Sequence, residues 1–166
     1  MTQRWSLAVI TVLALAATTK SAMADDKTQA KGTKVGYDVY NSYFESNKSG
    51  LKGDVSFLAF SDTKAFDQVF GPAAVMRKKP KFLPKDAFQS KVVVAVIHRG
   101  NKVWHYDVEK VTAENGTLYL QYRAKAQGGG GATFASPLIV AADKGNYSSV
   151  VFIENGKQVG TAKVGE

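Results

Sequence analysis

Val92-Val93-Val94-Ala95-Val96-Ile97 runs into His98-Arg99-Gly100-Asn101-Lys102 and then Val103-Trp104-His105-Tyr106-Asp107-Val108, and this stretch decides the fold class. An apolar, mostly β-branched run of that length is short for a buried helix and suits a strand covered on both faces. Gly100-Asn101 is a tight-turn dipeptide, and the residues after it alternate apolar and polar like a returning strand with one wet face. A two-residue loop there predicts a hairpin in which Arg99 faces Lys102, His98 faces Val103 and Val96 faces His105. One face of that hairpin carries Ala95, Ile97, Trp104, Tyr106 and Val108. The other carries His98, His105 and Asp107, with the two histidines as diagonal neighbours.

Working outward, Asn115-Gly116 is the strongest hairpin signal in the chain, and Leu118 to Arg123 alternates after it. Gly128 to Gly131 reads as a flexible break, with further strands over 138–142, 148–154 and 158–164. Lys144-Gly145-Asn146 and Asn155-Gly156 are the turns between them. Upstream, the aromatic stretches 37–40 and 43–44 read as strand rather than helix, and 54–60 as the next strand. Ser61 or Asp62 is positioned to cap a short helix near 62–70, whose Ala65, Phe66, Val69 and Phe70 form one apolar stripe. Gly71-Pro72 is expected to end it. Residues 73–90, rich in Lys and holding Pro80 and Pro84, read as an irregular connection whose apolar residues dip into the core. The expectation is an α+β to mostly-β single domain over 35–166. It has an antiparallel sheet of about seven to nine strands, built on 92–97, 103–113 and 117–126, and one or two short helices.

The first residues read differently. Arg4 precedes an unbroken apolar-and-Thr run from Leu7 to Ala17, and Ala22-Met23-Ala24 supplies the small–x–small pattern of a cleavage site. The uncharged stretch from Trp5 to Thr19 is shorter than the roughly 20 residues a membrane-crossing helix needs. Residues 1–24 therefore read as a cleaved signal peptide and 25–34 as a polar, flexible lead-in. Cleavage removes Arg4 and Lys20 and lowers the formal charge from +8 to +6. Export to a periplasm or the exterior follows, with no membrane anchor after cleavage. The chain has no Cys, which excludes a disulfide scaffold, a thiol nucleophile and thiolate zinc sites.

Three constellations bear on function. His98, His105 and Asp107, if gathered on one hairpin face, have the chemistry to hold zinc or a similar ion, which makes a small-ligand or metal-binding protein the alternative function. The basic run Arg77, Lys78, Lys79 and Lys81, with Phe82 and Leu83 inside it, suits contact with an acidic protein partner; export argues against nucleic acid. Gly128 to Gly131 lacks the Gly-Lys-Ser/Thr that a phosphate loop requires. Asn-x-Ser/Thr triplets at Asn47, Asn115 and Asn146 fall in predicted turns and read as turn chemistry. No Gly-x-Ser-x-Gly or His-Glu-x-x-His motif nominates a catalytic set, and no residue pattern calls for a cofactor.

Several pieces, in order, resemble the carboxy-terminal domain family of PrcB, the protease-complex accessory subunit. They are Ser49-Gly50-Leu51, Ser61-Asp62 through Phe66 and Phe70, Asp86-Ala87-Phe88 before Val92 to Val96, Ser136 to Val140, and Ser149 to Phe152. The family's Gly-Gly-aromatic stretch after the central strand is replaced here by Arg99-Gly100-Asn101-Lys102 leading to Trp104. The resemblance implies an exported β-rich module that supports a partner protein such as a protease, with no catalytic residues to carry over.

Overall fold

The computed structural model describes residues 28–73 and 79–165. The signal-peptide reading of 1–24 and the two basic residues Arg77 and Lys78 lie outside them. The described chain is a mostly-β single domain. Its strands are β1 (Thr33–Lys34), β2 (Tyr37–Tyr40), β3 (Tyr43–Glu45), β4 (Val55–Phe60), β5 (Phe70–Pro72), β6 (Lys91–Gly100), β7 (Val103–Glu114), β8 (Thr117–Gln127), β9 (Phe134–Asp143), β10 (Ser149–Glu154) and β11 (Lys157–Lys163). Two short helices, α1 (Thr63–Val69) and α2 (Ala87–Ser90), complete the set. Neither helix is long and apolar enough to cross a membrane.

The strands form two main sheets, ordered β1-β7-β8-β10-β11 and β2-β9-β6-β4, with β3 and β5 as a separate two-stranded ribbon. All pairings are antiparallel except β8 with β10, which run parallel because the chain visits the second sheet through β9 between them. The two sheets pack face to face around Val92, Val94, Val96, Leu120, Tyr122, Val140 and Phe152. A second apolar cluster lies on the outer side of the second sheet, where Val93, Ala95, Ile97 and Ile139 meet Tyr40, Phe60, Phe66, Val69 and Phe70. β6 is therefore the middle of three layers, and both faces of its continuous apolar run are buried. β7 has a core on one side only and alternates accordingly.

The two Asn-Gly turns behave as read. Asn115 and Gly116 join β7 to β8 at φ 50° and 74°, and Asn155 and Gly156 join β10 to β11 at φ 51° and 81°. Positive φ at both central residues is the geometry whose twist matches the flanking strands. The helix also begins as expected, with Asp62 Oδ1 accepting from the Ala65 amide at 2.9 Å. It ends one residue sooner, because Phe70 is extended and Gly71-Pro72 continues as strand β5 against β3 rather than as a cap.

Three expectations are corrected. The strands number eleven among the described residues and form two sheets and a ribbon, so 92–97 does not share a sheet with 103–113 and 117–126. Accordingly β6 and β7 are not a hairpin. The ladder sides of β6 are taken by β4 and β9, and Gly100 still pairs with Phe134, so residues 101–102 carry the chain from one sheet to the other. Part of the lead-in is also tied down. Thr33 and Lys34 pair with Ala113 and Thr112, the Ala30 amide donates to Gln121 Oε1 at 3.0 Å, and the Thr112 hydroxyl donates to the Lys31 carbonyl.

Candidate functional site

Since β6 does not fold back on β7, the proposed metal trio is split. His98 points between the sheets and is only 6% exposed, whereas His105 and Asp107 lie on the solvent face of β7. Asp107 is held there by Arg123, Oδ2 to guanidinium 2.6 Å. Among the described residues no three His, Cys, Asp or Glu side chains converge to hold a metal ion. The face assignment was inverted for one strand. His98 shares its side of the sheet interface with Trp104 and Tyr106, not with His105.

His98 instead centres a polar network at one end of the sandwich. Its ring stacks on Trp104, centroids 4.2 Å apart and 18° between planes. Nδ1 is 3.0 Å from the Tyr106 hydroxyl, which donates to the Ser136 carbonyl at 2.6 Å. Nε2 is 3.3 Å from Glu154 Oε2, the oxygen that also accepts from the Tyr122 hydroxyl at 2.9 Å. The Trp104 amide donates to Ser136 Oγ at 3.1 Å. His98 and Ser136 belong to the second sheet and the other four to the first, so the network ties the layers together. Burial lowers the proton affinity of His98, and the Glu154 carboxylate offsets only part of that. Burial likewise raises the pKa of Tyr106 and Tyr122 above the ordinary phenol value, so both remain hydrogen-bond donors at neutral pH.

One residue along β6, on its opposite face, Arg99 makes a different kind of contact. Its guanidinium meets both oxygens of Glu45 at 2.7 Å and also donates to the Gly53 carbonyl and Ser56 Oγ, each at 3.0 Å. The two side chains are only 15% and 9% exposed. Burial acts to raise the Glu45 pKa, but hydrogen bonds from Arg99 and Ser49 and the guanidinium charge outweigh it and hold the carboxyl below its ordinary range. This clamp fixes the loop between β3 and β4. Above it opens a hollow of about 320 Å³, with Phe44 and Phe134 in its walls together with Asn47, Thr133 and Ala135. Phe44 is 48% exposed and Phe134 40%. The glycine run 128–131 leads into Phe134, and a Cβ built at any of its four residues meets nothing within 4 Å.

The described part of the basic connection is partly anchored. Lys81 Nζ lies 3.2 Å from Asp38 Oδ1 and 4.9 Å from the Tyr40 ring centre. Leu83 packs on the outer cluster, and its amide donates to the Tyr43 hydroxyl at 2.9 Å. Phe82 sets its ring edge-on to Tyr43 and remains 41% exposed, and Lys79 is exposed.

Sequence reasoning selected His98 and missed Glu154, Tyr106 and Tyr122, which only the packing of two sheets brings to it. A signal for Glu154 existed: it closes an apolar strand directly before an Asn-Gly turn, where its carboxylate shares the core face with Val150 and Phe152. Phe44 and Phe134 were also missed as surface groups, since aromatic residues in strands are expected to face a core. Comparison of the chain with protein-family models, with curated proteins and with solved structures finds no match.

Proposed function

We propose that this chain is an exported interaction module that acts by binding a partner protein in the cell envelope or exterior, a protease being one such partner, rather than by catalysis. The observation that carries the reading is the pair Phe44 and Phe134, two large rings nearly half in water on the walls of one hollow. Exposed aromatic residues gathered at a concave site are what protein interfaces use as anchors. The Arg99–Glu45 clamp beneath them supports the same reading, because a surface held in one geometry loses little entropy on binding. The secretory pattern of residues 1–24 and the resemblance to the PrcB carboxy-terminal domain family support export and a protein partner. Phe82, exposed beside Lys79 and Lys81, favours a second contact on the basic connection.

The test is cross-linking of the tagged chain in its native envelope, with identification of what is captured. One stoichiometric protein, lost in Phe44→Asp and Phe134→Asp but kept in Lys79→Glu, supports the module and its hollow. Loss confined to Lys78→Glu, Lys79→Glu and Lys81→Glu moves the contact to the basic connection. Turnover of a small substrate by the isolated chain, with no specific capture, overturns the module in favour of an enzyme.

A further inference from the structure

The hollow between Phe44 and Phe134 does not end at the Arg99–Glu45 clamp. A second hollow of about 350 Å³, with Leu51 and Lys52 in its walls, shares Glu45, Asn47, Arg99 and Ala135 with the first. The two are one groove crossing the clamp, with two rings at one end and the loop 46–53 at the other. Phe44 is placed by β5: its ring lies over Gly71, where a Cβ would come within 2.9 Å of it. The clamp itself adds no net charge. Glu45 Oε2 accepts from Arg99 Nε, and Oε1 from Arg99 Nη2 and Ser49 Oγ. Four of the five guanidinium N–H groups go to Glu45, Gly53 and Ser56, which leaves one donor on Nη2 without a partner among the described residues. The charge that is not cancelled lies on the loop. Lys48 and Lys52 are exposed, and among the described residues neither ammonium has a carboxylate partner. Asp54, two residues past Lys52, lines neither hollow. A bare strand edge runs along the same groove. β3 pairs only with β5, and β9 only with β2 and β6, although β3 and β9 both line the first hollow. The Ser46 amide donates to the Val69 carbonyl and the Ala73 amide to the Ser42 carbonyl, so residues 42, 44 and 46 turn their main-chain groups toward β5. Those of Tyr43 and Glu45 face the other way, where no described strand pairs with them.

We propose that this groove binds an extended acidic segment of the partner protein. A large apolar side chain of that segment sits between Phe44 and Phe134, its main chain pairs with the free edge of β3, and its carboxylates meet Lys48 and Lys52. The inference rests on the interaction reading above and names the chemistry of its partner. Three properties of the groove select that chemistry. Two aromatic walls call for an apolar anchor. A strand edge reads main chain, which calls for an extended segment. The uncancelled charge is positive and stands in water, where it speeds the approach of carboxylates and turns away a basic segment. A basic segment would meet two unpaired ammonium groups, and the one carboxylate in the groove is already spent on Arg99 and Ser49.

The experiment is fluorescence anisotropy of labelled, amidated peptides of about seven residues titrated with the full chain. The probe carries one Phe between two Thr, followed by a run of Asp and Glu, and is made in both orders. Companion peptides put Lys in place of the acids or Ala in place of the Phe. One order of the acidic probe is expected to bind at least about tenfold more tightly than either companion, and less tightly as salt rises from about 50 to about 300 mM. Lys48→Glu with Lys52→Glu, and separately Phe134→Ala, are each expected to cost about tenfold, whereas Lys125→Glu on the outer face of the first sheet changes affinity by less than about twofold. Methylating alternate main-chain nitrogens of the probe is expected to weaken binding in one of the two phases only, since a strand edge meets every second residue. Equal affinity for the acidic and Lys probes, no binding of either acidic order at about 1 mM, or binding kept in Phe134→Ala would each overturn the proposal. So would self-association of the chain that Phe134→Ala abolishes, which assigns the groove to a second copy. The comparison of probes needs no substituted protein, so a variant that fails to fold leaves the test intact. The charge-reversed lysine pair, carried into the envelope cross-linking, separates this proposal from the reading beneath it. Capture lost in Phe44→Asp but kept in Lys48→Glu with Lys52→Glu leaves the module standing and overturns the acidic segment; no specific capture overturns both.

Discussion

Phe66→Ala is the perturbation that most directly probes the outer layer. Phe66 is 2% exposed and sits at the centre of an aromatic cluster. Its ring meets Tyr43 at 5.1 Å, Phe60 at 5.6 Å, Phe70 at 5.0 Å and Phe88 at 6.1 Å between centroids. Truncating a buried Phe costs about 3–5 kcal/mol, and each edge-on or tilted aromatic pair adds roughly 0.5–1.5 kcal/mol beyond area burial. The site has little freedom to collapse. One wall is β6 and β9, locked between two layers, and α1 is pinned by its Asp62 cap and by β5. The loss is therefore expected near the top of that range, about 4–5 kcal/mol. That is about a quarter or more of the roughly 5–15 kcal/mol a domain of this size commands. Urea unfolding followed by far-ultraviolet dichroism checks it. At a slope of about 2 kcal/mol per molar, the midpoint falls by about 2 M with the slope unchanged. Phe44→Ala, removing a ring already about half in water, is the matched control and is expected to cost only about 1 kcal/mol. A loss below about 1 kcal/mol for Phe66→Ala, or one no larger than the control, would refute the three-layer packing.

Gly160→Ala is expected to destabilise by about 1–3 kcal/mol in thermal unfolding. Its Cβ would fall 2.3 Å from the ring of Phe57, which is itself packed 5.1 Å from Phe152 and would have to shift. Arg99→Ala leaves the buried Glu45 carboxylate unpaired, a loss expected at about 3–5 kcal/mol, which adding Glu45→Gln partly recovers; Arg99→Lys is not expected to substitute for the two-pronged contact. The depressed Glu45 carboxyl contributes stability above its ordinary 4.5 that is lost as pH falls from there through the folded value, so Glu45→Gln is expected to flatten the acid limb of the melting-temperature profile.

What was legible in the sequence followed from local physics. The run Val92 to Ile97 announced burial on both faces, the two Asn-Gly pairs announced hairpins, and Asp62 with the Phe66–Val69–Phe70 stripe announced a helix lying on a sheet. What was not legible was which strands pair. Gly100-Asn101 has the chemistry of a hairpin turn, and the nearest following strand is the natural partner for any strand. Yet a strand needs two ladder neighbours as well as two covered faces to be fully buried, and β6 finds them in β4 and β9, each about 40 residues away in sequence. With the pairing misread, the partners of His98 were misread too. The residue was selected for its chemistry, but the groups that give that chemistry an environment come from β7, β8, β9 and β10.

The alternation of β6 explains why two neighbouring residues serve different ends of the molecule. His98 and Arg99 point to opposite faces because successive side chains in a strand must. The inner face offers an indole, two phenols and one shared carboxylate, an environment that suits an aromatic ring able to be neutral. The outer face offers a carboxylate presenting both oxygens, a carbonyl and a hydroxyl, which suits a planar cation that never loses its charge. A slip of β6 by one residue would exchange the two, setting a permanent cation against Trp104 and leaving Glu45 facing an imidazole. The register of the central strand is thus specified at its polar end by charge as well as along its length by burial. The hollow between Phe44 and Phe134 rests on the Arg99 half of that arrangement, and the His98 half ties the two sheets together at the same end of β6.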